Sequence, residues 1–165
     1  MHMNEDTDEE GLAELVKRGG IFYHIPGNTP EQILGEIIGR IPAAFLPIGK
    51  ETLLKAVLER EALMSTGIGH GLALPHPRNP VIGETEKQFV TIALSESPVD
   101  WKSLDGRAVY AVLLIVSASA KLHLRTLSKI NFLCRQESFE ALLQNRAHPE
   151  DIIKAIRDME QTWKK

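Results

Sequence analysis

Cysteine is nearly missing from this chain: Cys134 is the one thiol in 165 residues. A single thiol permits neither an intrachain disulfide nor a CxxC-type zinc site, which points to a reducing compartment. Its neighbours Phe132 and Leu133 predict that it is buried. An excess of basic charge is also missing. Nineteen Lys and Arg stand against 22 Asp and Glu, for a net charge of −3, the opposite of the basic stripe that general nucleic-acid binding needs. No apolar run approaches the roughly 20 residues that cross a bilayer. Residues 1–10 are acidic and lack the apolar centre of a secretory signal. There is no internal repeat. A soluble, cytoplasmic protein without nucleic-acid binding or membrane insertion is what remains. The length suits one domain with one substantial core.

The elements follow from spacing. Thr7 with Glu10 makes a capping box ahead of Leu12, Leu15 and Val16, predicting a short helix in an N-terminal extension over residues 1–20. Residues 21–25 read as a strand, with His24 on its face, and Pro26-Gly27-Asn28 closes it. Thr29, Pro30 and Gln32 supply the N-cap, N1 and N3 of a helix. Its apolar stripe runs from Ile33 to Ile41. A second such pattern covers about 50–64 on Leu53, Leu54, Val57 and Leu58. Arg60 falls in its last turn, where a cation complements the macrodipole. Strand character returns over about 88–95. Asp105-Gly106 is a hairpin turn signal, and the apolar run Ala108 to Val116 reads as a central strand buried on both faces. Helices are expected over about 120–134, from near Ser138, and after Pro149. The alternation predicts a single α/β domain over residues 21–165.

Residues 65–80, Ser-Thr-Gly-Ile-Gly-His-Gly-Leu-Ala-Leu-Pro-His-Pro-Arg-Asn-Pro, differ from the rest. Gly67, Gly69 and Gly71 permit positive φ and close backbone approach, and read as a loop. Pro75 and Pro77 fix φ on either side of His76 and push the residues before them into extended geometry. They also keep His76 out of a central strand, so it belongs at a strand end or edge. A stiff backbone aims an imidazole, as a nucleophile requires. The same composition also fits a Pro/Gly-rich surface loop holding an incidental histidine.

Arg60-Glu61, then Ser65 to Gly69, Gly71, Leu72, Ala73, Leu74, Pro75 and His76 resemble the active-site segment of the type-2 EIIA domains of the bacterial phosphotransferase system, the fructose, mannitol and nitrogen-regulatory kind. Pro98, Trp101, Asp105, Gly106 and Val109, and Lys121 to Leu127 with His123, resemble further segments of that family. The resemblance implies a mixed sheet flanked by helices. It implies that His76 becomes phosphohistidine, that Arg60 helps hold the phosphoryl group, and that His123 sits beside His76. The implied partners are an HPr-type phosphocarrier and an EIIB domain or regulated target proteins. No cofactor is implied.

Chemistry of the residues agrees with that reading. A free imidazole is nucleophilic at cytoplasmic pH and its P–N bond is labile. His123, in the first turn of its helix, lies where the helix N-terminus favours an anion and disfavours imidazolium. Gly69, His70, Gly71 and Arg78 are secondary candidates for phosphoryl contacts. Where the family often has asparagine, this chain has His70. His70, His76 and His123 also leave open a three-histidine zinc hydrolase, although no carboxylate is placed as its base. The remaining alternatives are a regulatory module, favoured here, and a sugar-uptake component. Trp101 is expected to pack.

Overall fold

The computed structural model describes residues 11–163. The capping box at Thr7 and Glu10 lies outside them. The order is α1 (Leu12–Gly19), β1 (Ile21–Ile25), α2 (Pro30–Arg40), α3 (Lys50–Leu63), β2 (Gly67–Gly69), β3 (Leu72–Ala73), β4 (Phe89–Val99), β5 (Val109–Val116), α4 (Ala120–Cys134), α5 (Glu137–Gln144) and α6 (Pro149–Trp163). The strands form one sheet in the order β1-β4-β5-β3-β2. β1 is parallel to β4 and β3 to β5, whereas β4 with β5 and β2 with β3 are antiparallel. The α/β domain with a mixed sheet is therefore what the residues build.

Helices cover both faces, and β5 shows why its sequence is continuously apolar. Ala111, Leu113 and Ile115 pack with α1, α4, α5 and α6 on one face. Val112, Leu114 and Val116 pack with α2 and α3 on the other. A strand buried on both sides leaves no polar position. Leu12, Ala13, Leu15 and Val16 of α1 are buried in the first of these cores. The carboxylate of Glu160 on α6 accepts from the backbone N–H groups of Leu12 and Ala13, at 2.7 and 3.0 Å, and caps α1 from across the fold. The segment expected as an extension is thus packed with the rest.

Thr29 caps α2 by accepting from the Gln32 N–H at 3.2 Å, while Gln32 reaches back to the N–H of Asn28, one residue further than a standard capping box. Three departures from expectation have local causes. β4 runs on to Val99 because its pairing with β5 shifts register after Leu94 and resumes at Val99; Pro98 sits in that exposed irregularity, where its missing N–H costs no ladder bond. The glycine-rich stretch is not a plain loop but a tight β2–β3 hairpin, turned at Gly69, His70 and Gly71 with φ of 91°, 58° and 82°. His24 takes φ 54° at a register shift in β1, so its exposed position is a kink in the strand and not a regular strand face.

Candidate active site

Topology gathers three distant stretches at one edge of the sheet. β3 and β5 are parallel, so the segments that follow them leave at the same edge: residues 74–78 after β3 and 117–123 after β5. β2 is antiparallel to β3, so the end of α3, which precedes it, arrives there too. Arg60, His76 and His123 meet at this edge. The two imidazole rings stand 4.5 Å apart, centroid to centroid, tilted by 43°, and both feel the charge of Arg60.

His76 is held from both sides. Pro75 accepts from the Ile115 N–H at 3.0 Å, and the Leu74 N–H donates to the Thr66 carbonyl at 3.0 Å. Its Nδ1 lies 2.8 Å from the Leu74 carbonyl oxygen. A carbonyl can only accept, so Nδ1 carries the proton and Nε2 presents the lone pair. Burial lowers the His76 pKa; the Leu74 contact opposes this, Arg60 adds to it, and Glu61 opposes it, with the net direction downward. The neutral, nucleophilic ring therefore prevails at neutral pH.

His123 stands in the first turn of α4, whose cap is Ser119: the Ser119 Oγ accepts from the Leu122 N–H at 3.1 Å. Burial first, then the neighbouring His76 and Arg60, push the His123 pKa down to about 4. It is a neutral ring with one N–H to give. Arg60 donates through Nη1 to the Met64 carbonyl at 2.7 Å, which caps the C-terminal end of α3 as the macrodipole reading expects. Its other N–H groups are left for the cavity it lines. That cavity, about 180 Å³, is bordered by Arg60, Ser65, Thr66, Gly67, His76, Leu127 and Asn131 among others.

Sequence reasoning singled out the Arg60-Glu61 pair but gave Glu61 no role. Its carboxylate accepts from the Thr66 N–H at 2.8 Å and the Thr66 hydroxyl at 2.6 Å. Trp101, 2% exposed, packs as expected and also donates its indole N–H to Thr66 Oγ1 at 3.3 Å. These contacts brace the cavity wall. Asn131 was missed as well; its one signal was position, since 123, 127 and 131 recur every four residues along α4.

The secondary candidates do not line this cavity. Gly69 and His70 border a separate cavity of about 660 Å³ with Cys134, Arg135, Glu137 and Glu140. The His70 N–H donates to Asp105 at 2.9 Å, and that bond, with one from the Arg107 N–H, holds the Asp105 carboxyl low. At Gly71 a Cβ would lie 2.5 Å from the Tyr110 ring, so glycine is needed for close approach. Gly69, His70 and Gly71 thus build a turn and do not line the His76 cavity. Arg78 is exposed and borders a neighbouring cavity of about 200 Å³ that includes His123, Ser117 and Leu124. The three-histidine metal centre is not assembled: among the described residues no group of three or more His, Cys, Asp and Glu is placed to hold a metal ion. Cys134 is buried, which pushes its thiol up to about 12. Among the described residues no helix is long and apolar enough to cross a membrane.

Residues 14–159 match the family described as "Phosphoenolpyruvate-dependent sugar phosphotransferase system, EIIA 2". The chain belongs to that family. It is 29% identical over 161 residues to a nitrogen regulatory protein of Escherichia coli K12, covering 96% of each chain. It is also 29% identical over 145 residues to the fructose-specific EIIABC component of Bacillus subtilis, covering 86% of this chain and 22% of that protein. Among solved structures, the nitrogen regulatory protein IIA-Ntr of Neisseria meningitidis superposes with a TM-score of 0.76 at 21% identity, over 87% of this chain and 97% of that one. The IIA mannitol chain of an Escherichia coli complex with phosphorylated IIB mannitol gives 0.66 at 16% identity, over 85% and 95%. These two likenesses establish the EIIA fold. EIIA domains are phosphoryl-transfer components, and this chain is one of them by family.

Proposed function

We infer that His76 is the phosphoryl acceptor, and that Nε2 is the reacting atom. The observation that carries this reading is the 2.8 Å contact between Nδ1 and the Leu74 carbonyl, made by a half-buried ring beside His123 and Arg60. The Nε2 lone pair attacks the phosphorus of a phosphohistidine on an HPr-type carrier. The carrier's P–N bond breaks, and its electron pair returns to the carrier imidazole. No proton has to move when the carrier's second ring nitrogen carries a proton: His76 keeps its Nδ1 proton and the carrier leaves as a neutral imidazole. The residues then act by alignment and charge: Arg60 offsets the phosphoryl charge and His123 donates one N–H.

The phosphoryl group is held as an occupancy signal, or passed to a cysteine of an EIIB domain. Relatives matched over nearly their whole length are named nitrogen regulatory proteins, which favours the regulatory output. The fructose-specific relative supports sugar uptake as the second reading, from a segment that is 22% of its length. Incubation with enzyme I, phosphocarrier and phosphoenolpyruvate, followed by intact mass, tests the site. One acid-labile phosphate is expected, absent in His76→Ala; an adduct that persists in that variant overturns the assignment.

A further inference from the structure

We propose that Asn131 is a third ligand of the phosphoryl group on His76, donating its side-chain amide N–H to a phosphoryl oxygen. The proposal rests on His76 being the acceptor. Asn131 lies two helical turns beyond His123 on the same face of α4 and borders the cavity that holds His76, Arg60, Thr66 and Gly67. Its side chain is half-buried, and among the described residues nothing hydrogen-bonds it. An amide carries two donors and one acceptor, and a group withdrawn from solvent keeps a partner when one is present. Apart from the remaining Arg60 N–H groups, the other polar side chains and amides named around this cavity are engaged within the protein. The Thr66 N–H and hydroxyl serve Glu61, the Gly67 N–H serves Ser65 Oγ at 3.0 Å, and one Arg60 N–H serves Met64. Asn131 alone of these keeps all its donors.

The residue also lines a second cavity. With Ile68 it borders the 660 Å³ cavity that holds His70, Arg135, Glu137 and Glu140. Glu137 and Glu140 make that side acidic and a poor place for a phosphoryl dianion. The amide donors are therefore spent better toward His76.

The test uses the full chain, phosphorylated with phosphoramidate as a small donor so that no partner surface is involved, and 15N-labelled for side-chain amide spectra. Phosphorylation is expected to move the Asn131 NH2 resonances downfield. Asn131→Ala is expected to lower the equilibrium phosphoryl occupancy about tenfold, the effect of losing one hydrogen bond to a charged group. Asn131→Asp, which keeps the shape but places a carboxylate against the dianion, is expected to lower it further. Unphosphorylated stability should be unchanged in both, which separates ligand contact from packing. Unshifted Asn131 amide signals, or occupancy within twofold of the parent in both variants, overturns the proposal. Failure of the underlying reading looks different: the parent itself takes no phosphate, or His76→Ala still does.

Discussion

Glu61→Ala removes the brace behind the cavity wall, and its cost follows from the contacts. Two hydrogen bonds from Thr66 to a carboxylate are lost, at 2.8 and 2.6 Å. Bonds to a charged acceptor contribute about 1.5–3 kcal/mol each, for a gross loss of about 3–6 kcal/mol. Glu61 is only half-buried, so water enters and re-satisfies part of what Thr66 loses. A net destabilisation of about 2 kcal/mol results. For a domain of this size, that is a fall in melting temperature of about 4–8 °C. Glu61→Gln keeps an acceptor for the Thr66 N–H and loses the charge, for about 1 kcal/mol. The order parent, Gln, Ala should appear in both thermal and urea unfolding. An Ala midpoint within about 1 °C of the parent would refute the bracing role, since one kcal/mol alone moves it further. The same change removes the one nearby anion that raises the His76 pKa, so His76 should titrate still lower by NMR.

Acidification should selectively cost the fold through His123. Its pKa is about 4 when folded against 6.5 as the reference value, so the unfolded chain binds the extra proton. Stability from this group is therefore present above pH 6.5 and is lost as pH falls toward 4. The full linkage of about 3.4 kcal/mol, discounted for partial exposure, leaves about 1–2 kcal/mol. The urea midpoint should fall more between pH 7.5 and 5 in the parent than in His123→Gln; equal falls count against it. Gly71→Ala forces a Cβ to 2.5 Å from Tyr110 at φ 82°, and should destabilise by about 2–4 kcal/mol in urea unfolding. Arg60→Lys should fold with nearly parental stability yet take phosphate more slowly from the carrier, because an ammonium lacks the fork that serves Met64 and the cavity together. A parental rate in stopped-flow transfer would remove Arg60 from the site.

Most of the fold was legible because its signals are local. The Thr29-Pro30 helix start and the apolar run of β5 each state their structure within a few residues, and each formed as read. What was not legible depended on distance. The β2–β3 hairpin read as a loop because three alternating glycines hide the strand signal; its pairing needs β5 beside it. The bracing role of Glu61 depends on Thr66 being folded back onto it, and Asn131 reaches the cavity only because α4 packs along it. His70, where the family often has asparagine, was a secondary candidate for a phosphoryl contact. The hairpin instead places it at a turn whose backbone is tied to Asp105, 35 residues on.

With His76 as the proposed phosphoryl acceptor, the position of the site at this edge answers an electrostatic problem. A phosphoryl dianion is welcome at the start of α4 and unwelcome at the end of α3, where the carbonyl dipoles are negative. The topology brings both ends together, so one of them has to be neutralised. Arg60 does this from within α3, by turning one N–H onto the Met64 carbonyl and leaving the rest of its charge beside His76. The same charge helps hold both imidazoles neutral, and burial does most of that work. A neutral acceptor next to a fixed cation is a combination that water cannot keep, because there the ring would be partly protonated near pH 6.5. On the proposed assignment of His76 as acceptor, the fold separates two tasks that free histidine combines poorly: the ring supplies only the lone pair, and the guanidinium supplies the charge.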